Sequence, residues 1–524
     1  MAWHAAVVGS GPNGLTAAYQ LARAGWQVTV YEAAGAPGGA ARSAELFGPQ
    51  LISDLGSSVH PLTAASPAYA ELGLEFVHPP IAAAHPLDST EHDDAGPVLL
   101  HRSLADTAAG LGADADLWDW IVGPLVNNWN AVRQAIFTPP STPFSGAGPG
   151  LWNLVGRAVA FAQFGAAGAM PAANLMRSFK TQEGRVLFAG LAAHSTGPLS
   201  APLSSAFGVL LGAAAHTVGW PVLRGGSQQL VNALVAELEA HGVRIFTGFA
   251  VEGITEVPLP GLRQGVRPDL KRRGYRIDGV RYGSRGHRRR SGDQVADVVV
   301  LDLTPAQVLR LAGLRLTERV QRRMGRWNYG PGVVKIDYLM DGPLPWARSE
   351  LAAAGTVHLG GSAEQIAASE AAANKGVLPG RPYVLVAQPS AADDSRTPDH
   401  RTVCWAYAHV PRGLGAAGTA RAAKLIEEEI TRFAPDFRDA VLNRKVWGPA
   451  ELEAWNANLV GGSVSAGLAT LGQTFAGPAR VRRPYSLGQE GIYMCSAATP
   501  PGGGAHGMAG FNAAAAVLRD TQAR

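Results

Sequence analysis

Cysteine is nearly absent from this 524-residue chain, which contains only Cys404 and Cys495. These two residues exclude a disulfide framework, and neither a Cys-x-x-Cys redox pair nor the spacing of a zinc site occurs, so no metal site is predicted. Long apolar runs are also missing: segment 206–215 is short, whereas a membrane-spanning helix needs about 18 residues. The first strand starts by Ala5, which leaves no room for a signal peptide, and we therefore expect a cytoplasmic protein.

Positive charge is concentrated in one segment rather than spread over the chain. The net charge is +4, but residues 263–290 contain eleven Lys or Arg and only two acids, so the remaining sequence has an excess of acids. This distribution argues against a nucleic-acid-binding surface. We expect a solvated, Arg-rich hairpin with residues 275–282 as its strand pair; docking to an anionic membrane or an acidic partner is the alternative.

The composition predicts a globular protein of two domains. The chain is too long for a single hydrophobic core, 47% of its residues are hydrophobic and only 16% are charged. Glycine is abundant, with 64 residues. The first of these glycines belong to the most informative motif of the sequence.

A dinucleotide-binding motif occupies the start of the chain. An apolar run is followed by G-x-G-x-x-G, in a turn made of Gly9, Gly11, Pro12, Asn13 and Gly14. In such a turn the first glycine permits the sharp bend, the second lets backbone approach a pyrophosphate, and the third lets helix and strand pack closely. Residues 15–24 predict a helix, and residues 28–31 predict a second strand that ends at Glu32. The carboxylate of Glu32 can accept hydrogen bonds from ribose hydroxyls, and it would repel a 2′-phosphate, so NADP is disfavoured.

A second glycine-rich turn distinguishes FAD from NAD. Gly38 and Gly39 follow shortly after Glu32, and Arg42 comes with them. In a plain NAD dehydrogenase the chain would continue directly into the next helix. Here the second turn lets the backbone approach the pyrophosphate a second time, and Arg42 supplies a cation for it. We therefore predict FAD as the cofactor.

The C-terminal region repeats the combination of strand, loop and helix N-terminus. Residues 491–495 predict a strand, 496–510 a Gly/Pro-rich turn and 511–519 a helix. The positive end of that helix can stabilise negative charge on a reduced flavin. Further members of the nucleotide-binding sheet are predicted as strands at 243–247, 250–254 and 298–301 and a helix at 228–241.

Nine short sequence words are spread from residue 9 to residue 508: GSGPNGL (9–15), GGAAR (38–42), DLGSS (54–58), GWP (219–221), GGS (225–227), YGPGVVK (329–335), GPLPW (342–346), NLVGG (458–462) and PPGGGAHGM (500–508). Together they resemble the phytoene-desaturase-like (carotenoid oxidoreductase) flavoproteins, most closely the branch named pyridine nucleotide-disulfide oxidoreductase domain-containing protein 2. The chain departs from the desaturases proper in its C-terminal flavin motif, where Ser496-Ala497-Ala498 replaces their usual acid.

The resemblance implies an α/β fold: a Rossmann-like, glutathione-reductase-like FAD domain with an inserted α+β substrate domain. The FAD domain is expected at 1–75, 215–310 and 470–524, and the substrate domain at 76–214 and 311–469. With the glycine turns above, the residues expected to contact FAD are Gly9, Gly11, Pro12, Asn13, Gly14, Glu32, Gly38, Gly39, Arg42, Ser57, Ser58, Val251, Ala498, Gly504, His506, Gly507 and Met508.

The sequence offers five catalytic candidates. His60, His194 and His506 can shuttle a proton because histidine titrates near neutrality, although each can equally be a loop histidine with a structural hydrogen bond. Tyr329 and Lys335 can face the flavin across the domain interface, although an ion pair with a neighbouring aspartate is the simpler interpretation for the lysine.

Three functions remain open. The first is an FAD-dependent dehydrogenase or desaturase that transfers a hydride from an apolar or amphipathic small molecule to flavin N5, with O2, a quinone or NAD as the electron acceptor. The second is a flavin amine oxidase using O2, which an aromatic cage would favour. The third is a redox-neutral flavin isomerase or a non-catalytic FAD-binding interaction protein. The apolar stretch 151–176 can line a pocket, contact a membrane peripherally or form a homodimer interface.

Overall fold

Two large sheets organise the molecule, and each takes its strands from a different part of the chain. In the computed structural model the described residues are 3–88, 96–139, 165–258, 273–282, 288–291, 295–480 and 485–522. Their strands are β1 (His4–Val8), β2 (Gln27–Tyr31), β3 (Ser43–Glu45), β4 (Ile52–Asp54), β5 (Phe76–Val77), β6 (Ile81–His85), β7 (Val98–Leu100), β8 (Val222–Leu223), β9 (Arg244–Phe246), β10 (Phe249–Pro258), β11 (Arg273–Tyr282), β12 (Arg288–Ser291), β13 (Val295–Ala296), β14 (Val298–Leu301), β15 (Gly332–Met340), β16 (Ala354–Leu359), β17 (Val384–Ala387), β18 (Thr402–Val410), β19 (Val441–Trp447) and β20 (Ile492–Met494).

Helices cover both large sheets. In chain order they are α1 (Pro12–Arg23), α2 (Pro61–Ala65), α3 (Leu104–Gly110), α4 (Ala115–Asn127), α5 (Trp129–Phe137), α6 (Ala172–Met176), α7 (Gln182–Ala193), α8 (Ser204–Thr217), α9 (Gln228–Ala240), α10 (Pro305–Val308), α11 (Glu318–Gly325), α12 (Ala363–Asn374), α13 (Ala416–Phe433), α14 (Phe437–Ala440), α15 (Pro449–Trp455), α16 (Leu471–Ala476) and α17 (Met508–Gln522). Among the described residues no helix is both long and apolar enough to cross a membrane.

The first large sheet is parallel and has the strand order β20-β14-β1-β2-β9. Its strands are apolar on both faces because each face is covered. In β1, Ala5 and Val7 pack with one buried cluster, and Ala6 and Val8 pack with another on the opposite face. All five strands lie in the segments expected for the nucleotide-binding domain.

Helix α1 connects β1 to β2 and is fixed between the parallel sheet, α9 and α17. Its buried face includes Leu15 and Leu21, both fully buried. Gly25 has φ = +82°, which lets the chain reverse after the helix and enter β2. The helix N-terminus is therefore held at the carboxyl end of the parallel strands, where nucleotide-binding folds place their ligands.

The second large sheet has the order β19-β15-β18-β17-β16-β6-β7, and it is antiparallel except for the β16–β6 pair. Strand β15 is buried along its whole length. Val334 and Ile336 pack in a cluster with Ile430 of α13, whereas Lys335 points to the other face and reaches Asp54 of the nucleotide-binding domain. The second sheet thus presents one face to the first domain.

A smaller antiparallel sheet consists of β10, β11, β12 and β13. The expectation that residues 275–282 contain both strands of a hairpin is wrong in its bounds, because they form one continuous strand within β11. Strand β11 pairs antiparallel with β10 on one side and, within the Arg-rich segment, with the following strand β12 on the other. The rest of the Arg-rich segment at 263–272 and 283–287 lies outside the described residues. So do residues 151–164 of the apolar stretch.

Candidate functional site

The first glycine turn has the geometry that its spacing predicts. Gly9 follows β1 with φ = +96°, a conformation that residues with a Cβ rarely adopt. A Cβ on Gly11 would lie 2.6 Å from Asp302 Oδ2, and one on Gly14 would overlap the carbonyl oxygen of Gly9. Pro12 occupies the first turn of α1, where a missing N–H costs nothing. Bare backbone therefore lies at a helix N-terminus, the arrangement that binds phosphate.

Glu32 follows β2 and closes the edge of this turn. Its Oε2 accepts hydrogen bonds from Ser10 N at 2.9 Å and Ser10 Oγ at 2.6 Å, and its Oε1 accepts from Ala34 N at 2.7 Å. The carboxylate is partly buried. It is held at the end of the second strand, the position from which a ribose is bound in dinucleotide-binding folds.

The second glycine turn packs directly on the first. Gly38 N donates to Ser10 O at 2.9 Å. A Cβ on Gly39 would lie 2.9 Å from Gly11 Cα, so only a glycine lets the two turns approach this closely. Helix α1 and strand β2 separate the two glycine turns in the sequence. In the structure the two turns form one backbone-lined surface.

Arg42 lies beside the second turn and extends toward the substrate domain. Its Nε donates to Gly39 O at 3.1 Å and its Nη2 to Trp455 O at 3.4 Å, with the guanidinium carbon 4.8 Å from the centre of the Trp455 ring. Burial lowers the pKa of Arg42, an effect that the nearby Glu32 charge opposes. The expected contact of Arg42 with a pyrophosphate stays a prediction.

The C-terminal loop packs on the start of α1. Gly507 has φ = +68°, and a Cβ there would overlap Tyr69 Oη and lie 2.5 Å from Thr16 Oγ1. A Cβ on Gly510 would overlap the carbonyl oxygen of Asn13. The two glycine-rich regions at opposite ends of the sequence are therefore neighbours in the structure.

Other expected cofactor contacts lie in the same C-terminal loop. Gly504 has φ = +125°. Met508 N, at the start of α17, donates to His506 Nδ1 at 3.1 Å, and Ala498 is buried just after β20. The contact of these residues with a flavin stays a prediction.

The C-terminal loop leaves open space beside two of its glycines. A Cβ on Gly502 would meet no described atom within 4 Å, and one on Gly503 would meet only Ser465 O, at 3.7 Å. Asn13 Oδ1 is buried without a partner among the described residues. An open, backbone-lined cradle with an unused acceptor next to a helix N-terminus suits the phosphates and hydroxyls of such a cofactor.

Asp302 is a cradle residue that sequence reasoning missed. It follows β14, and its Oδ2 accepts from Gly14 N at 2.9 Å. Burial raises the pKa of Asp302 to about 7; the negative charge of Glu32 adds to this effect, and the Gly14 N–H opposes it. A titratable carboxyl group therefore lies against the turn that is expected to hold the pyrophosphate.

Asp54, at the end of β4, is the centre of a buried hydrogen-bond network. Its Oδ1 accepts from Ser43 Oγ at 2.6 Å and Ser227 N at 2.8 Å. Its Oδ2 accepts from Ser58 Oγ at 2.6 Å and Arg396 Nη1 at 2.8 Å. Burial alone would raise the pKa of Asp54, but the Arg396 charge and these donors outweigh it and hold the pKa below its usual range. Ser58 is thus part of an anionic centre.

Arg396 extends this network into the substrate domain. It is fully buried and also donates to Asp393 Oδ2 at 2.7 Å and Leu223 O at 3.1 Å. Nearby, Ser57 N donates to Ala40 O at 3.0 Å, which fixes the second glycine turn against β4. One arginine therefore links segments from both expected domains immediately behind the cradle.

Two of the candidate histidines are buried and hydrogen-bonded. His60 Nδ1 lies 3.0 Å from Thr63 Oγ1 and its Nε2 lies 2.8 Å from Ser227 Oγ. His506 packs its ring against Phe137, with the ring centres 5.2 Å apart. Burial lowers the pKa of both histidines to about 4, so both are neutral at pH 7.

Lys335 and Tyr329 lie at different places along the domain interface. Lys335 Nζ is buried and donates to Asp337 Oδ1 at 2.5 Å and to Asp54 O at 3.1 Å. The expected ion pair is therefore present, and the ammonium group also touches the nucleotide-binding domain. Tyr329 Oη accepts from Ala306 N at 2.9 Å, at the start of α10, and burial raises the pKa of the phenol.

A row of aromatic and ionisable side chains continues from Lys335 along β18. Trp405 and Tyr407 are stacked with ring centres 5.7 Å apart, and Lys335 Nζ lies 5.3 Å from the centre of the Trp405 ring. Next along the strand, His409 Nδ1 lies 2.7 Å from Glu370 Oε2. His409 Nε2 and Glu370 Oε1 are buried without partners among the described residues.

His194 joins this row from α7. Its Nε2 lies 3.2 Å from His358 Nε2, and its ring packs against Trp220. Burial lowers the pKa of His194 to about 4, and the neighbouring His409 contributes in the same direction. Val251 lies away from this row: it is partly buried on β10, against the outer cluster of the parallel sheet.

Sequence reasoning also missed Asp54, Glu370 and His409. Asp302 carried a usable signal, because it directly follows a buried strand that pairs with β1, and the carboxyl ends of such strands bind ligands. Asp54 stands in one of the nine sequence words, although no partner was predicted for it. Glu370 and His409 are 39 residues apart in the chain, and no motif connects them.

Comparison with known proteins supports the nucleotide-binding assignment. A family described as an NAD(P)-binding Rossmann-like domain matches residues 7–72. Pyridine nucleotide-disulfide oxidoreductase domain-containing protein 2 of Rattus norvegicus is 28% identical over 324 residues, covering 57% of this chain and 51% of that protein. The Mus musculus protein is 27% identical over 319 residues with the same coverage. The chain spans about half the length of these curated relatives.

Solved structures share the fold over nearly the whole chain. An oxidoreductase from Methanosarcina mazei is 15% identical with a TM-score of 0.58, covering 98% of this chain and 100% of its own. Putrescine oxidase bound to putrescine is 17% identical with a TM-score of 0.58, and cyclohexylamine oxidase from Brevibacterium oxydans is 13% identical with a TM-score of 0.52; both matches cover 100% of each chain. At these identities the likeness shows the fold.

The fold and the comparisons define a Rossmann-like nucleotide-binding domain with an added domain built on a mixed sheet. The predicted fold class is confirmed, and the relatives and neighbours above are named as oxidoreductases or oxidases. The closer likeness to carotenoid desaturases stays a prediction.

Proposed function

We propose that the chain is an FAD-dependent oxidoreductase that removes a hydride from a small organic substrate. The observation that carries the proposal is the meeting of three loops, 9–14, 38–42 and 502–508, in one backbone-lined cradle at the carboxyl end of the parallel sheet. The fold that the chain shares with putrescine oxidase and cyclohexylamine oxidase supports it.

Different residues of the cradle would bind different parts of the cofactor. The first turn and the N-terminus of α1 would hold the pyrophosphate, and Glu32 would accept from the ribose hydroxyls. The N-terminus of α17 would stabilise negative charge beside Met508. When bound, FAD supplies N5 as the hydride acceptor.

Two buried pairs are placed to hold or move a proton. Lys335 can carry a proton on Nζ, where Asp337 stabilises the charge and Trp405 covers it. His409 is oriented through Nδ1 by Glu370, which leaves Nε2 for a group that is not one of the described residues. We propose His409 as the acid or base on the substrate side and Lys335 as the group that stabilises charge between the domains.

The primary proposal for the substrate is an apolar or amphipathic small molecule. The face of β18 supplies aromatic surface from Trp405 and Tyr407 next to ionisable groups. A molecule with an apolar body and one polar end satisfies both kinds of surface.

An amine is the second candidate substrate. The observation that favours it is the stacked Trp405–Tyr407 pair close to the buried carboxylate of Glu370, because aromatic faces and a carboxylate together attract a substrate ammonium group. Two structures with the same fold are named for the oxidation of amines, putrescine oxidase and cyclohexylamine oxidase.

Anaerobic flavin reduction tests the proposed function. FAD-loaded protein is mixed without oxygen with separate pools of aliphatic amines, alcohols and unsaturated apolar compounds, and absorbance near the flavin maximum is followed. Bleaching by one pool supports an oxidoreductase and selects between the two substrate classes; admission of O2, a quinone or NAD then identifies the electron acceptor. An absence of bleaching with every pool would contradict the proposal.

A further inference from the structure

A cavity of about 300 Å³ lies between two loops of the substrate domain, next to the cofactor loop. This volume is at the lower end of the range for small-molecule pockets. Its described lining is uncharged and consists of Ser195, Gly197, Pro198, Ala201, Pro202, Ser204, Leu468, Ala469, Thr470, Leu471 and Gly472. No side chain discussed above as a proton carrier lines it, so the cavity is a distinct site.

One polar group in the lining is left without a partner. Ser195 is 5% exposed, and its Oγ has no hydrogen-bond partner among the described residues. The other hydroxyl groups are in use: Ser204 Oγ donates to Ala201 O at 2.7 Å, and Thr470 Oγ1 accepts from Gln473 N at 3.3 Å. A buried hydroxyl group without a partner is costly, and a ligand with one polar atom would remove that cost.

The loop that carries Ser195 is held in an unusual conformation. Thr196 and Leu203, at either end of the lining segment, have φ = +59° and +70°, values that residues with a Cβ rarely adopt. Asn374 Nδ2 donates to Thr196 O at 3.0 Å and holds the loop in place. Such conformations are retained where the surrounding structure imposes them, and they concentrate at binding sites.

The cavity is connected to the cofactor cradle through one short segment. Thr196 Oγ1 lies 3.4 Å from Ser465 Oγ, and a Cβ on Gly503 of the C-terminal loop would lie 3.7 Å from Ser465 O. On the outer side, Leu471 and Phe475 lie on the same face of α16 and are 54% and 55% exposed. The loop that lines the cavity and the C-terminal loop therefore both lie next to Ser465.

We propose that this cavity binds the uncharged, apolar part of the substrate, with one hydroxyl or carbonyl group of the ligand hydrogen-bonded to Ser195 Oγ. The inference deepens the proposed function, on which it rests, because it assigns the substrate tail to residues 195–204 and 468–472. Because the described walls of the cavity carry no charge, they select against a charged group in the substrate tail.

Binding of the neutral naphthalene ketone prodan, followed by its fluorescence in FAD-free and FAD-loaded protein, tests the cavity directly. We expect one bound dye per chain, displaced by straight-chain primary alcohols. Leu468→Trp and Ala469→Phe fill the cavity and should weaken binding at least about tenfold. Ser195→Ala removes one hydrogen bond and should weaken it about fivefold. Leu442→Trp, at an exposed position on β19, is the matched control and should leave binding unchanged.

The two cavity-filling variants, Leu468→Trp and Ala469→Phe, are both used so that the result does not depend on the folding of one protein. The folding of each variant is checked by its melting temperature. Dye affinity that is equal in wild type and both filled variants would overturn the proposal, as would binding at several weak sites only. If the dye binds as expected but no flavin is retained, the proposed function fails and the cavity assignment survives. If flavin is reduced normally and the filled variants bind dye like wild type, only the cavity assignment fails.

Discussion

Asp302 is a buried carboxyl group whose ionisation should make the stability of the folded protein depend on pH. Burial raises its pKa to about 7, so the folded chain holds a proton there that the unfolded chain loses near pH 4. The stability contributed by this proton is fully present below pH 4 and is lost as the pH rises to 7, on the order of 4 kcal/mol in all. Asp302→Asn should remove this pH dependence, as measured by urea unfolding of the FAD-free protein at pH 5 and pH 8.

The matched control is Asp439→Asn, which changes an exposed carboxyl group on α14. It should leave the pH dependence as in wild type. An Asp302→Asn protein whose stability falls between pH 5 and pH 8 as steeply as the wild type would show that Asp302 does not hold a proton in the folded state.

Lys335 contacts the backbone of Asp54 beside the cradle, whereas Arg396 contacts the carboxylate of the same residue. Lys335→Met removes the ammonium group from Asp337 and from Asp54 O. We expect FAD to stay bound, because no cradle loop contains this residue, and the rate of flavin reduction by the identified substrate to fall by roughly tenfold or more. Stopped-flow absorbance measures the rate. Lys445→Met, at an exposed position on the adjacent strand β19, is the control. The flavin in this variant should be reduced at the wild-type rate.

At the residue scale, local spacing carried most of what could be predicted. Gly9 has the positive φ and Gly14 the close packing that their spacing indicates, because these features depend on neighbouring backbone, whereas the contact of Gly11 with a pyrophosphate stays a prediction. The surroundings of His60 could not be predicted, since its partner Ser227 is 167 residues away in the sequence. The catalytic roles of the five candidates stay predictions.

The C-terminal loop is the element whose packing on α1 should decide cofactor binding. Gly507→Val would force a Cβ against Tyr69 and Thr16 at a positive φ, so the loop has to move away from the helix N-terminus. We expect the affinity for FAD to fall at least about tenfold, measured by quenching of flavin fluorescence. Gly110→Val, at an exposed position in α3 with no described atom within 4 Å of its Cβ, makes the same substitution as a control. Equal FAD affinity in both variants would exclude the loop from the site.

At the element scale, periodicity predicted helices better than strand pairing. The helix predicted at 228–241 is α9 at Gln228–Ala240, and the strands predicted at 298–301 and 491–495 are β14 and β20. The hairpin predicted at 275–282 was wrong in its bounds, because alternation identifies a strand but does not identify its partners. Those partners are β10, from earlier in the chain, and β12 at Arg288–Ser291.

On the scale of the whole molecule, Arg396 joins the two expected domains through a buried charge network. Arg396→Met leaves Asp54 and Asp393 buried without their countercharge. Removal of one partner from a buried ion pair costs about 3–5 kcal/mol, and we expect a loss of this size in the free energy of unfolding, measured with urea. Arg401→Met breaks an exposed pair with Asp399 and should produce no measurable change. Equal stability of the two variants would contradict the role of the network.

The arrangement of the two sheets could be predicted only in part. The apolar runs and glycine turns indicated a parallel nucleotide-binding sheet, and all its strands come from the expected segments. The interface position of Lys335 was predicted, but its alignment in one row with His409 was not, because that row forms through strand pairing that leaves no local pattern. The contacts of these side chains were therefore identified only from the structure.

The binding of FAD is the central claim, and its stoichiometry tests that claim most directly. Purified protein is incubated with excess FAD, desalted, and its absorbance spectrum is compared with the protein concentration. We predict one FAD per chain with a perturbed flavin spectrum, and its loss in Gly507→Val but not in Gly110→Val. A protein that retains no flavin after this treatment, while remaining folded, would contradict the account.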